Sequence, residues 1–122
     1  MKKKILIIDD DKSMRMLLSH VLEHNYVVYS IKSAKEAIGW MHQGNLPDLI
    51  ITDANMPEMD GIDFVDYIKG SLLFSRIPII ILSSLEKSSD RLQFYNRGVD
   101  QFIGKPFDPS ELESRISYLL AS

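Results

Sequence analysis

The amino-acid sequence predicts an α/β domain: a doubly wound, five-stranded parallel sheet with five helices. Three observations lead there. Short apolar runs rich in β-branched residues recur along the chain, amphipathic stretches with helical periodicity separate them, and several runs end in charged or hydroxyl residues. Runs that are apolar at nearly every position suit strands covered on both faces, and strands alternating with helices imply right-handed βαβ units.

The first candidate strand is Lys4–Ile8, which ends in Asp9-Asp10-Asp11. Met14, Leu17, Leu18, Val21 and Leu22 follow at i, i+3, i+4, i+7 and i+8, the apolar stripe of one helix, with Asp11 best placed to cap it. Tyr26–Ile31 is the second strand. Ser33, with Glu36 three residues on, reads as a capping box for a helix that turns Ala34, Ala37, Ile38 and Met41 inward. Leu49–Thr52 is the third strand and ends in Asp53. A helix starting near Asp60-Gly61 carries Ile62, Val65 and Ile68. Ile79–Leu82, followed by Ser83-Ser84, is the fourth strand; a more polar helix runs from about Ser88 to Arg97 and stops at Gly98. Gln101–Ile103 is the fifth strand, ahead of Gly104-Lys105-Pro106. Asp108-Pro109 opens the last helix, the aspartate as N-cap and the proline in the first helical position, with Leu112, Ile116, Leu119 and Leu120 on its buried side.

Composition narrows the function. The 122 residues suit one domain, and 45% hydrophobic with 25% charged residues is an ordinary globular balance. A formal net charge of −3 gives no general attraction to nucleic acid, and Lys2-Lys3-Lys4 reads as the solvated start of a strand. The lack of cysteine excludes disulfides, thiol catalysis and thiolate metal sites. No export signal or bilayer-length apolar segment is present, so the default location is cytoplasmic. Residues 1–122 read as one domain without repeat, linker or output domain.

In an open parallel sheet the carboxyl ends of the strands share one edge, where ligands bind. Asp9, Asp10, Asp53, Ser83 and Lys105 all follow strand ends, so the topology gathers them. Each has a plainer reading as well: aspartate or serine as a helix cap, lysine as solvated surface. Three aspartates in a row exceed what capping needs. Packed beside Asp53, Asp9 and Asp10 would raise one another's pKa unless a cation neutralised them. Mg2+ suits oxygen ligands of this kind, and the absence of cysteine, with no H-x-x-x-H spacing expected, argues against zinc. Lys105, on a turn stiffened by Pro106, can act as a point charge for phosphoryl oxygens, and Ser83 can donate a hydrogen bond to one.

Taken together, Ile7-Ile8-Asp9-Asp10, Asp53, Asn55-Met56-Pro57-Glu58-Met59-Asp60-Gly61, Ser83-Ser84 and Lys105-Pro106-Phe107 resemble the receiver domain of two-component response regulators, over essentially the whole chain. The resemblance implies a flavodoxin-like fold with strand order 2-1-3-4-5; the chemotaxis regulator is a standing example of that order, which comes with the resemblance and not from the residues. It implies Asp53 as phosphoacceptor, Asp10 as a direct and Asp9 as a largely water-mediated Mg2+ ligand, and Asn55 as a metal ligand through its backbone carbonyl. Lys105 would pair with the acceptor and then with the phosphoryl group. Ser83 would be the switch hydroxyl and Phe102 the coupled aromatic. The donor would be a sensor histidine kinase or a histidine phosphotransfer protein. The chain would catalyse only its own phosphorylation and dephosphorylation. The output would be contact with a protein partner at the face of the fourth helix, fifth strand and fifth helix, where Tyr95 and Arg97 are candidates, with the chain a monomer or a phosphorylation-dependent dimer.

Two positions depart from the commonest version of the pattern. Serine at 83 lacks the methyl of threonine, and phenylalanine at 102 lacks the hydroxyl of tyrosine, which changes the balance of the aromatic's rotation. Leu85, two residues past Ser83, is expected to overhang the acceptor and slow hydrolysis; an unchanged dephosphorylation rate in Leu85→Glu would end that idea. Two other classes compete with the switch. A phosphorylation-independent interaction module would ordinarily have lost an acid or the lysine. An aspartyl-phosphate hydrolase would use a D-x-D motif after the first strand, leaving Asp53 and the segment from Asn55 to Gly61 unexplained.

Overall fold

The computed structural model describes residues 1–84 and 88–121. Strands and helices alternate as β1 (Lys4–Ile8), α1 (Lys12–Leu22), β2 (Val27–Ile31), α2 (Ala34–His42), β3 (Leu49–Thr52), α3 (Gly61–Lys69), β4 (Ile79–Ser83), α4 (Ser88–Asn96), β5 (Gln101–Gly104) and α5 (Pro109–Ala121). Every strand pairing is parallel, in the order β2-β1-β3-β4-β5. The expected architecture and strand order both hold. Leu85 lies outside the described residues.

Successive residues of a strand face opposite sides, and here both sides are apolar. Leu6 and Ile8 of β1 and Ile50 of β3 face a core with Ala37 and Met41 of α2, Phe64, Val65 and Ile68 of α3 and Phe94 of α4. Ile5, Ile7, Leu49, Ile51 and Leu82 face the other side, where Leu18 and Leu22 of α1 and Leu112 and Ile116 of α5 cover them. Each such side chain, fully buried, contributes about 1.5–3 kcal/mol. The helices begin where side chains satisfy their first N–H groups. Asp11 accepts from Ser13 N, Ser33 from Glu36 N and Asp60 from Asp63 N, while the Asp108 carboxylate accepts from Ser110 N at 2.9 Å.

Four sequence expectations need correction. β2 is not buried on both faces: it is an edge strand, and Val27 and Tyr29 are each 37% exposed. Tyr26 is not part of it, because its N–H is drawn back to Leu22 O at the end of α1. Leu17 is 47% exposed; it sits one residue round the helix from Leu18, on the shoulder of a stripe narrower than the periodicity suggests. β4 and β5 each run one residue further than expected, through Ser83 and Gly104, which are paired in register.

Candidate functional site

The carboxyl ends of β1, β3, β4 and β5 bring Asp9, Asp10, Asp53, Ser83 and Lys105 to one edge of the sheet. Ile8 and Thr52 are register partners in adjacent strands, so the residues that follow them, Asp9 and Asp53, emerge side by side. Asp9 is buried, Asp53 partly buried and Asp10 exposed. One carboxylate oxygen from each of the three can be chosen so that all lie within 4.8 Å of one another; this is the one group of its kind among the described residues.

Lys105 joins the acids. Its Nζ lies 3.2 Å from Asp9 Oδ2 and 3.6 Å from Asp53 Oδ1, with the lysine side chain itself largely covered. The Lys105–Pro106 peptide is cis, and Lys105 N donates to Ser83 O at 2.8 Å, which ties the lysine turn to the end of β4. Ser83 is buried. Asp9 is held by further contacts: its Oδ1 accepts from Asp11 N at 2.9 Å, and its carbonyl accepts from Arg15 Nη1 at 2.7 Å. Nothing in the sequence pattern singles out Arg15, which reaches back from the first turn of α1.

The Asp53 carboxyl stands under opposing influences. Burial pushes its carboxyl above the ordinary 3.8, and the Asp9 charge adds to this. Lys105 and the backbone N–H groups of Ala54 and Asn55 pull the other way. The Ala54 N–H donates to Asp53 Oδ1 at 2.8 Å. The next turn is set by a close backbone approach. Gly61 N donates to Ala54 O at 2.9 Å, and a Cβ on Gly61 would stand 2.7 Å from that oxygen. Asn55 is exposed beside this turn.

The donor set fits a hard divalent cation: it offers carboxylates at the edge of a cleft with no sulfur or imidazole among the cluster's residues. The expected absence of an H-x-x-x-H spacing is wrong: His20 and His24 stand at the i, i+4 spacing of a zinc-type histidine pair. Their ring centres are 6.1 Å apart at the end of α1, and neither belongs to the acidic cluster. A depression of about 500 Å³ opens beside Asp10, between Lys32 and Lys35 on one side and Pro57 and Glu58 on the other.

Phe102 is buried at 6% exposure and packs against Phe94 of α4. Tyr95 is partly exposed, but its hydroxyl accepts the Phe102 backbone N–H at 3.1 Å. Arg97 pairs with Asp66 of α3 at 2.6 Å, so it faces that helix.

Residues 5–117 match the response regulator receiver domain family. The chain is 35% identical over 119 residues to the response regulator Rre1 of Synechocystis, covering 96% of this chain and 51% of that protein. It is also 35% identical over 119 residues to histidine kinase P4 of Formosa agariphila, covering 98% of this chain but 9% of that protein. The chain therefore spans about half the length, or much less, of these relatives. Among solved structures, the signal receiver domain of a signal transduction histidine kinase from Syntrophus aciditrophicus superimposes with a TM-score of 0.90 at 34% identity, covering 98% of this chain and 90% of that one. The Vibrio cholerae chemotaxis protein CheY4 gives 0.89 at 28% identity, with 98% and 99% covered. No described helix is long and apolar enough to cross a membrane. With its acids and lysine gathered at one sheet edge and residues 5–117 matched, this chain belongs to the receiver domain family of two-component response regulators.

Proposed function

We propose that Asp53 accepts a phosphoryl group from the phosphohistidine of a sensor histidine kinase or a histidine phosphotransfer protein. The observation that carries this reading is the Lys105 ammonium, set between Asp9 at 3.2 Å and Asp53 at 3.6 Å where two strands end. An Asp53 oxygen attacks phosphorus and forms the P–O bond. The P–N bond of the donor breaks, and its electron pair stays on the imidazole nitrogen, which takes a proton from solvent. Partial burial strips water from the nucleophile, and Lys105 is placed to balance charge on the transferring oxygens. Mg2+, held by Asp9, Asp10, Asp53 and the Asn55 carbonyl, would supply the remaining positive charge against those oxygens.

The acyl phosphate adds negative charge and acceptor oxygens at the edge where Ser83 ends β4. Its hydroxyl is the switch group of this reading, and Phe102, paired in register with Ile81 two residues upstream, is the coupled aromatic. A downstream protein reads the resulting change on the α4–β5–α5 face. Both candidate contact residues are exposed and each is already engaged, Tyr95 by the Phe102 N–H and Arg97 by Asp66. In this role residues 1–122 act as one receiver unit in the cytoplasm, and no substrate other than the donor is turned over.

The test is intact mass after incubation with Mg2+ and acetyl phosphate or phosphoramidate. One phosphoryl adduct, absent in Asp53→Asn, is the expected result. No adduct in a folded protein would favour a phosphorylation-independent module. Donor turnover without adduct, dependent on Asp9, would favour a hydrolase.

A further inference from the structure

Three side chains of α4 converge on one residue of β5. The Arg91 guanidinium carbon lies 5.4 Å from the centre of the Phe102 ring. The Phe94 ring meets the same ring at 5.8 Å, tilted by 48°. The Tyr95 hydroxyl accepts the Phe102 backbone N–H at 3.1 Å. Since β5 is an edge strand, that outward N–H has no strand partner, and a helix side chain satisfies it instead.

Arg91 is the unexpected member of the trio. A buried phenylalanine and an edge-capping tyrosine are ordinary ways to seat a helix on a sheet. A guanidinium over an aromatic face adds a directional electrostatic hold. Among the described residues Arg91 makes no ion pair, so no carboxylate there competes for it. Its other neighbour lies toward the acceptor site. A Cβ on Gly104, two residues along the same face of β5, would find Arg91 Nη2 and Ser83 O each at 4.0 Å. The guanidinium thus reaches from the Phe102 ring toward the end of β4.

We propose that Arg91 is a positioning residue of the switch, stacking on Phe102 to hold the ring buried before any phosphoryl group is present. Phenylalanine suits this arrangement, because it has no hydroxyl to desolvate when the ring is inside. Phosphorylation then reinforces a ring position that α4 already favours, and the share of buried ring depends on Arg91 as well as on Asp53. The inference rests on Phe102 being the switch aromatic of the proposed function.

The test follows the ring directly. Protein carrying 4-fluorophenylalanine gives a fluorine resonance for Phe102, assigned by its loss in Phe102→Leu, and solvent-isotope shifts report whether that ring meets water. Wild type, Arg91→Met and Arg91→Lys are compared with and without Mg2+ and acetyl phosphate, with thermal denaturation confirming that each is folded. Loss of an exposed cation–π contact should raise the solvent-exposed ring population in Arg91→Met about two- to fivefold. Arg91→Lys should restore part of it, since it keeps the charge without the planar face. Phosphorylation of Arg91→Met should return the ring inward. An unchanged ring population in Arg91→Met overturns the proposal, as does identical behaviour of the methionine and lysine variants, which would leave only bulk. If wild type forms no Asp53 adduct, the phosphoacceptor reading fails, while the unphosphorylated comparison still decides whether Arg91 holds the ring.

Discussion

Two glycine-to-alanine substitutions of identical chemistry should move stability in opposite directions. In Gly61→Ala the new Cβ would lie 2.7 Å from Ala54 O, 2.9 Å from Ala54 Cα and 3.1 Å from Ala54 C. Two of these fall under the 3.0 Å that real Cβ atoms keep, and all three atoms are backbone, so relief requires the turn after Asp53 to move. Forcing a methyl into packed surroundings costs about 1–3 kcal/mol, and the gain in helix propensity at the first helical residue offsets only part of that. Gly39 lies mid-α2 with nothing within 4 Å of its Cβ position, so Gly39→Ala should stabilise by about 0.5–1 kcal/mol. With roughly 3–5 °C per kcal/mol for a chain of this size, Gly61→Ala should melt several degrees below wild type and Gly39→Ala a few degrees above it. Urea denaturation with unchanged m-values checks that the native packing and not the unfolded ensemble is responsible. The displaced turn also carries the Ala54 N–H bound to Asp53 Oδ1, so adduct formation should slow in Gly61→Ala and not in Gly39→Ala. A Gly61→Ala protein as stable as Gly39→Ala would refute the reasoning.

Other consequences are equally open to measurement. The folded-state pKa of Asp53 is raised, so between its ordinary value and that raised value the folded protein binds more protons than the unfolded chain. Stability contributed by this group is therefore lost as pH rises through the window, and the ionised carboxylate is a liability at neutral pH. Asp53→Asn should accordingly be more stable than wild type at pH 7, with the difference shrinking as pH falls from the raised value to the ordinary one; a difference in melting temperature independent of pH would contradict this. Asp9 and Asp10 should separate. Asp9→Asn removes a buried partner of Lys105 and should cost about 1–3 kcal/mol in denaturant titrations. Asp10→Asn, at an exposed position, should stay within about 0.5 kcal/mol while weakening Mg2+ binding measured by calorimetry. Tyr95→Phe should cost about 1 kcal/mol and speed hydrogen exchange at the Phe102 amide, which loses its acceptor.

The elements were largely legible because their signals are local. Apolar runs ended by aspartate, serine or lysine marked four strand ends, and Asp11, Ser33, Asp60 and Asp108 marked helix starts that the structure places within a residue. What failed was positional within the sheet. Nothing in Val27–Ile31 says that it lies at an edge, so its exposure had to come from the strand order. The acids and Lys105 could be gathered from strand ends alone, but the residues that steady them could not. Arg15 reaching Asp9 O, Tyr95 capping Phe102 N–H and Arg91 over the Phe102 ring are contacts between neighbouring elements that leave no periodic trace. Gly61 was readable as a helix start, whereas its close approach to Ala54 needs coordinates.

The register between β1 and β3 bears on how such a domain can diversify. Because Asp9 and Asp53 follow directly on Ile8 and Thr52, their lateral spacing is that of neighbouring strands, about 4.8 Å, whatever the loops beyond them do. Insertions and rewritten surfaces past those residues leave the acid pair in place, so recognition of a particular kinase or target can drift without rebuilding the chemistry. A single deletion inside Leu49–Thr52 has no such freedom. It would turn the side chains on one side of the deletion to the opposite face, sending residues meant for one core into the other. The tolerance of the domain to change is therefore sharply divided at the sheet's carboxyl edge, permissive on the loop side and strict one residue inward.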